Sequence, residues 1–136
     1  MSNGDMAILC GDSTGHGVPG AIMSLLNIMT FEKAVESSQN PSEILYNTRK
    51  MIIHRLNKGN ERVDRSEGMD CCLMTFNLQS KKIRYVGANA PLWIVRRGEL
   101  LEYSPDRMPV GKHDLDQRPF SEKEIKLETG DMVYAF

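Results

Sequence analysis

No charge of either sign dominates this chain: 17 basic residues stand against 18 acidic ones, a net of −1. Without a basic patch, neither nucleic acid nor an anionic membrane surface is the expected partner. No apolar run approaches the ~18 residues that span a bilayer. The start, Met-Ser-Asn-Gly-Asp, has neither the basic onset nor the apolar core of a signal peptide. Cysteine is scarce and badly spaced for metal or disulfides: Cys10, Cys71 and Cys72, with no Cys-x-x-Cys. That usage points to a reducing cytoplasm. A phosphate-binding P-loop is excluded too, because no Gly-Lys-Ser/Thr is present and no lysine precedes Lys33. No Ser-His-Asp or Cys-His order and no internal repeat stand out.

What is present is a glycine-rich corner. Gly11-Asp12-Ser13-Thr14-Gly15-His16-Gly17-Val18-Pro19-Gly20 holds four glycines in ten residues, a density that costs backbone entropy and that a plain connector does not need. It follows the apolar run Met6 to Cys10, which reads as a buried strand. Ile22, Leu25, Leu26 and Met29 come after it, at i, i+3, i+4 and i+7, which predicts one apolar face of a helix. Pro19 suits the first helical turn. Strand, glycine turn and helix is a geometry that presents ions and phosphates.

The 136 residues fit one domain. Asn40-Pro41-Ser42-Glu43 predicts the start of a second helix, with an N-cap, a proline at the first position and a glutamate that caps backwards. Ile44, Leu45, Thr48, Met51, Ile52 and Leu56 carry it to about residue 56. The short link predicts an antiparallel helix pair. Residues 57–68 are polar and read as a loop. Cys72, Met74, Phe76 and Leu78 then alternate with Cys71, Leu73, Thr75 and Asn77, a strand of period two. Further strands are predicted over 83–87, 92–96 (Pro91 permits one only from its first residue) and 100–103. Residues 104–124 are irregular, and 125–127 with 132–136 read as a hairpin turning at Gly130-Asp131. The class is α+β, helices segregated onto a sheet face. Periodicity leaves open whether the strands form one sheet or two.

Several residues have two readings. Asp12, placed where the strand ends, either caps the helix or ligates a hard metal with help from the carbonyl of Ser13. His16 either orients a phosphate or a water, or caps the turn. Asp70 is either a turn residue opening a strand or a metal ligand. Asn89 sits in a turn and satisfies its own backbone in the simplest reading. Asp131 reads as a structural turn residue, the adjacent cysteines as packing, and the methionines as core filler.

The segment Gly11 to Ala21 strongly resembles the signature of SpoIIE-type serine/threonine phosphatases, a bacterial branch of the metal-dependent protein phosphatases. Three later segments match in order: Gly68-Met69-Asp70, then Tyr85-Val86-Gly87-Ala88-Asn89-Ala90-Pro91-Leu92, then Leu127-Glu128-Thr129-Gly130-Asp131-Met132-Val133-Tyr134. The resemblance implies a β-sandwich with a flanking antiparallel helix pair and a metal site between the sheets. It implies hydrolysis of phosphoserine or phosphothreonine with two Mn²⁺ or Mg²⁺ ions and a water attacking in line, the physics of a two-metal clamp. Asp12 would bridge the ions, Ser13 would offer its carbonyl, and Asp70 would add a carboxylate. His16 would stand by the chemistry, and Gly15, Gly17 and Asn89 would meet the phosphate. The implied substrate is a phosphorylated regulatory protein of the anti-anti-sigma kind.

The sequence departs from that pattern at both ends. An upstream Gly-Asp-Phe/Trp-Tyr-Asp and a downstream Ser/Thr-Asp-Gly are not among these residues. The expectation is therefore a single domain fragment, 1–136, lacking the first metal-binding strand and the C-terminal Asp-Gly segment, with little phosphatase activity of its own. The alternatives are a non-catalytic regulatory module with a phosphatase fold, or phosphate binding at the helix N-terminus without hydrolysis. Open strand edges at 6–10 and 132–136 predict pairing between chains, as a homodimer or as aggregation.

Overall fold

The computed structural model describes residues 1–59 and 67–136. Of the predicted polar loop 57–68, residues 60–66 lie outside the described part. The order is β1 (Met6–Ser13), α1 (Gly17–Ser37), α2 (Pro41–Gly59), β2 (Gly68–Asn77), β3 (Lys82–Ala88), β4 (Leu92–Arg96), β5 (Glu99–Tyr103), β6 (Val110–Gly111), β7 (Lys123–Lys126) and β8 (Met132–Ala135). The strands make two antiparallel sheets. One runs β1-β2-β3-β7 with β6 paired to the start of β2, and the other runs β5-β4-β8. The two helices cover the first sheet and the second sheet covers its other face, so the fold is an α+β sandwich. No helix among the described residues is long and apolar enough to cross a membrane.

β2 is the centre of this arrangement. Its alternation sends Cys71 and Leu73 into the core under the helices, with Ile44, Leu45, Ile52 and Val86. Cys72 and Met74 go into the core between the sheets, with Tyr85, Leu92 and Ile94. Both faces are buried because both have a cover, and the period-two expectation holds. The cysteines are free and pack as expected; burial pushes the Cys72 thiol up to about 12 and raises that of Cys71 as well.

α2 starts as its sequence predicts. The Asn40 side chain accepts from the Glu43 N–H at 3.1 Å. Glu43 does not reach back to Asn40 itself: it accepts from the Ser38 hydroxyl at 2.6 Å, and that hydroxyl oxygen accepts the Asn40 N–H at 3.1 Å. Ile44, Leu45, Thr48 and Ile52 are buried.

α1 corrects the sequence reading. Ile22, Leu25 and Met29 are 62%, 61% and 61% exposed, and of the predicted stripe only Leu26 packs on the core. The buried side is Gly20, Met23, Asn27, Thr30 and Ala34. The reason is close approach. A Cβ on Gly20 would lie 2.9 Å from the carbonyl carbon of Gly15, so the first turn of α1 rests on loop backbone. Further along, small or polar side chains keep the helix near the sheet. Thr30 returns its hydroxyl to the Leu26 and Asn27 carbonyls.

The predicted hairpin at the end of the chain is also corrected. β7 pairs with β3 and β8 with β4, so the two strands belong to different sheets. Gly130-Asp131 is a corner between layers. Asp131 accepts both Nε and Nη2 of Arg96, at 2.9 and 2.7 Å, and the Glu128 N–H at 2.8 Å. These bonds hold its carboxyl down to about 2, and they confirm a structural role. β1 and β8 are edge strands, as the sequence suggested, but β1 is not the buried strand that its apolar run predicted: none of Met6 to Cys10 is fully buried. Met6 and Ile8 point to the second-sheet side of β1 yet stay exposed, since the three strands of that sheet do not extend over them.

Candidate metal centre

The β1–β2 register sets Cys10 against Cys72, Asp12 against Asp70 and Ser13 against Met69. Residues directly opposite one another share a face of the sheet, and faces alternate along the strand. Asp12 and Asp70 therefore stand side by side on the face shared with Cys72 and Met74, at the end where the sandwich opens. Both are exposed. Opposed residues hold their Cβ atoms ~4.5–5.5 Å apart, and like charges placed so are destabilising. None of the ion pairs among the described residues involves either carboxylate.

β1 runs to Ser13, three residues beyond the predicted strand. Asp12 thus lies in the strand and not at the mouth of the turn, and the helix-capping alternative for it is not realised. The N-cap position of α1 belongs to His16, which is extended at φ −144° and makes no side-chain cap hydrogen bond. His16 is exposed, and Gly15 and Gly17 beside it take left-handed φ values of 91° and 62°. No hydrogen bond joins His16 to the aspartate pair among the described residues.

The loop between is fastened to β2. Thr14 donates its N–H to the Gly68 carbonyl at 3.0 Å and accepts the Gly68 N–H on its hydroxyl at 3.1 Å. Asn27, buried on α1, donates to the Ser13 hydroxyl at 2.8 Å and to the Gly68 carbonyl at 3.3 Å. The side chain of Ser13 is thereby committed on the helix side, which leaves its backbone carbonyl as the atom that could ligate. Sequence reasoning missed Asn27 and Thr14. A lone amide inside the apolar run Leu25–Met29 was the available signal.

Asn89 does more than satisfy its own turn. Held at φ 56°, it donates Nδ2 to Asp70 Oδ1 at 2.9 Å. Its backbone N–H donates to the Asp106 carbonyl at 2.8 Å, and the Asp106 N–H donates to the Gly87 carbonyl at 3.0 Å. Asp12, Asp70 and Asn89 are brought together, while Ser13 joins through its backbone and His16, Gly15 and Gly17 flank the site at the helix start.

Two unpaired carboxylates facing each other, open to water, are oxygen donors of the kind hard divalent cations take. A bound cation would offset their mutual repulsion, so the residues present fit a Mg²⁺ or Mn²⁺ ion. No group of three or more His, Cys, Asp or Glu side chains is arranged to hold a metal among the described residues. Two carboxylates suffice for part of a coordination shell that keeps several waters. The buried thiols, held protonated, supply no soft ligand.

A family model, Stage II sporulation protein E (SpoIIE), matches residues 2–136. No curated protein matches the chain. Among solved structures, the SiaA-PP2C domain of Pseudomonas aeruginosa is similar with a TM-score of 0.78 and 24% identity, over 97% of this chain and 54% of that one. The RsbU and RsbW domains of a Mycobacterium tuberculosis protein are similar with a TM-score of 0.72 and 18% identity, over 95% and 34%. The catalytic domain of the serine threonine protein phosphatase PstP, in complex with 2 manganese ions, is similar with a TM-score of 0.65 and 12% identity, over 93% and 67%. The chain spans about half the length of the first of these and about a third of the second.

Proposed function

The chain belongs to the SpoIIE family, and from that premise we propose that it forms part of a metal-dependent phosphatase domain that hydrolyses phosphoserine or phosphothreonine on a regulatory protein. The observation that carries this reading is the opposition of Asp12 and Asp70, two exposed carboxylates that form no ion pair among the described residues. Asp12 and Asp70, with the Ser13 carbonyl, would hold Mn²⁺ or Mg²⁺. When bound, the ion lowers the pKa of a water and neutralises charge on the phosphoryl oxygens.

The protein's own residues do the positioning. Asn89 orients the Asp70 carboxylate through its amide. Thr14 and Asn27 fix the strand end that carries Asp12. The backbone N–H groups at Gly15 and Gly17, at the positive end of α1, suit the phosphate, and exposed His16 orients the phosphate or the attacking water. The reaction breaks the bond between phosphorus and the seryl oxygen and forms one to the water oxygen, giving a free hydroxyl and inorganic phosphate. A cytoplasmic setting agrees with three free cysteines.

The test is metal-dependent thermal unfolding of the chain, in MnCl₂ and in EDTA. With the ion at ten times its Kd, the stabilisation is about 1.4 kcal/mol. D12N is expected to abolish it while leaving the protein in EDTA as stable as before or slightly more so, because a like-charge pair is relieved. A wild-type protein indifferent to Mn²⁺, or a D12N protein stabilised as much as wild type, would sink the assignment.

A further inference from the structure

A second site adjoins the first. The loop between β5 and β7 encloses a cavity of about 310 Å³ lined by Arg107 and Arg118, with Asp106 and Ser121 on its rim. Neither arginine is in an ion pair among the described residues, and both are exposed. The one carboxylate in the lining is already engaged: Asp106 accepts the Ser121 N–H at 2.6 Å and the Ser121 hydroxyl at 2.9 Å. Behind the lining stands a third guanidinium. Arg49 is fully buried, lies 4.5 Å from the Phe120 ring centroid, donates to Met108 Sδ at 3.4 Å and to the Arg118 carbonyl, and leaves Nε without a partner among the described residues. Asp116, whose charge also acts on Arg49, accepts from the Gln117 amide. Within the lining, two guanidinia thus face one carboxylate, which already holds other donors.

The cavity is tied to the candidate metal centre by a short chain of contacts. Asp106 is bonded to the backbone of Asn89 and Gly87, and Asn89 is bonded to Asp70. We propose that this arginine-lined cavity binds an acidic side chain of the phosphorylated protein segment, so that the substrate is held at two points: its phosphate at the start of α1 beside the aspartate pair, by the backbone N–H groups of Gly15 and Gly17, and a neighbouring carboxylate by Arg107 and Arg118. The proposal rests on the phosphatase reading for the identity of the segment. The chemistry favours a carboxylate because the guanidinium fork matches it with two parallel hydrogen bonds.

The experiment measures binding without turnover. Two fluorescein-labelled phosphoserine peptides, one with glutamates on both sides of the phosphoserine and one with glutamines there, are titrated with the chain in EDTA and followed by anisotropy. The glutamate peptide is expected to bind wild type about tenfold more tightly, and R107Q/R118Q to lose that preference. A K33Q/K126Q control, with the same charge change elsewhere, is expected to keep it. Equal binding of the two peptides to wild type, or a preference that survives in R107Q/R118Q, would overturn the proposal. The Mn²⁺-dependent rise in Tm separates the two readings. R107Q/R118Q is expected to retain it, and its loss there would show that the arginines support the fold and do not form a pocket. Failure of the metal assignment alone leaves the glutamate preference measured in EDTA standing.

Discussion

β2 buries side chains on both of its faces, whereas α1 turns most of its large aliphatic side chains to solvent and, Met23 apart, buries glycine, asparagine, threonine and alanine. Both carry a clean apolar period, so the period alone does not decide which side is covered. In β2 the question hardly arises, because helices lie on one face and the second sheet on the other. In α1 the docked side is chosen by how near the helix must come. Gly20 rests on the backbone of Gly15, and Asn27 must reach both Ser13 and Gly68. The helix is oriented by the corner that carries the candidate site, and its aliphatic stripe takes the direction left over.

The largest expected effect lies on the β2 side of this comparison. Leu73 is fully buried under the helices, so L73A removes packed methylenes and leaves a cavity, costing about 2–5 kcal/mol by urea unfolding. A cost well under 1 kcal/mol would mean that the helix-side face of β2 is not packed as described.

G20A pits two terms against each other. Alanine gains about 1 kcal/mol of helix propensity over glycine, and on an exposed helix face that gain would win. Here the new Cβ meets backbone at 2.9 Å, which no rotamer change relieves, and the expected net loss is about 1–3 kcal/mol. A stabilised G20A would show that α1 rides clear of the loop and that the orientation of the helix needs another cause.

Legibility followed the range of the information. Local signals worked: Asn40-Pro41 started α2, Pro91 marked the strand that begins at Leu92, and the alternation from Cys71 to Phe76 sorted those residues between two cores. What needed a distant partner did not read out. Asp12 and Asp70 stood in separate motifs, and nothing in either predicted that the β1–β2 register sets them opposite. Gly130-Asp131 looked like a hairpin turn because the sequence shows two strands and a corner, not the sheets they join. The arginine cavity has no motif at all, since Arg49 comes from α2 and Arg107 and Arg118 from an irregular loop.

The smallest effect is expected on the exposed stripe. Leu25 keeps 61% of its surface in contact with solvent, so truncation forfeits little burial, and alanine is a slightly better helix former than leucine. The two terms nearly cancel, and L25A is expected to change stability by no more than about 0.5 kcal/mol, a small fraction of the cost of L73A. Equal costs for the two substitutions would break the comparison, for they would mean that the stripe is covered in solution. A Tm that rises with protein concentration in wild type but not in L25A would then identify the cover as a second copy of the chain, because only association with itself makes stability depend on its own concentration.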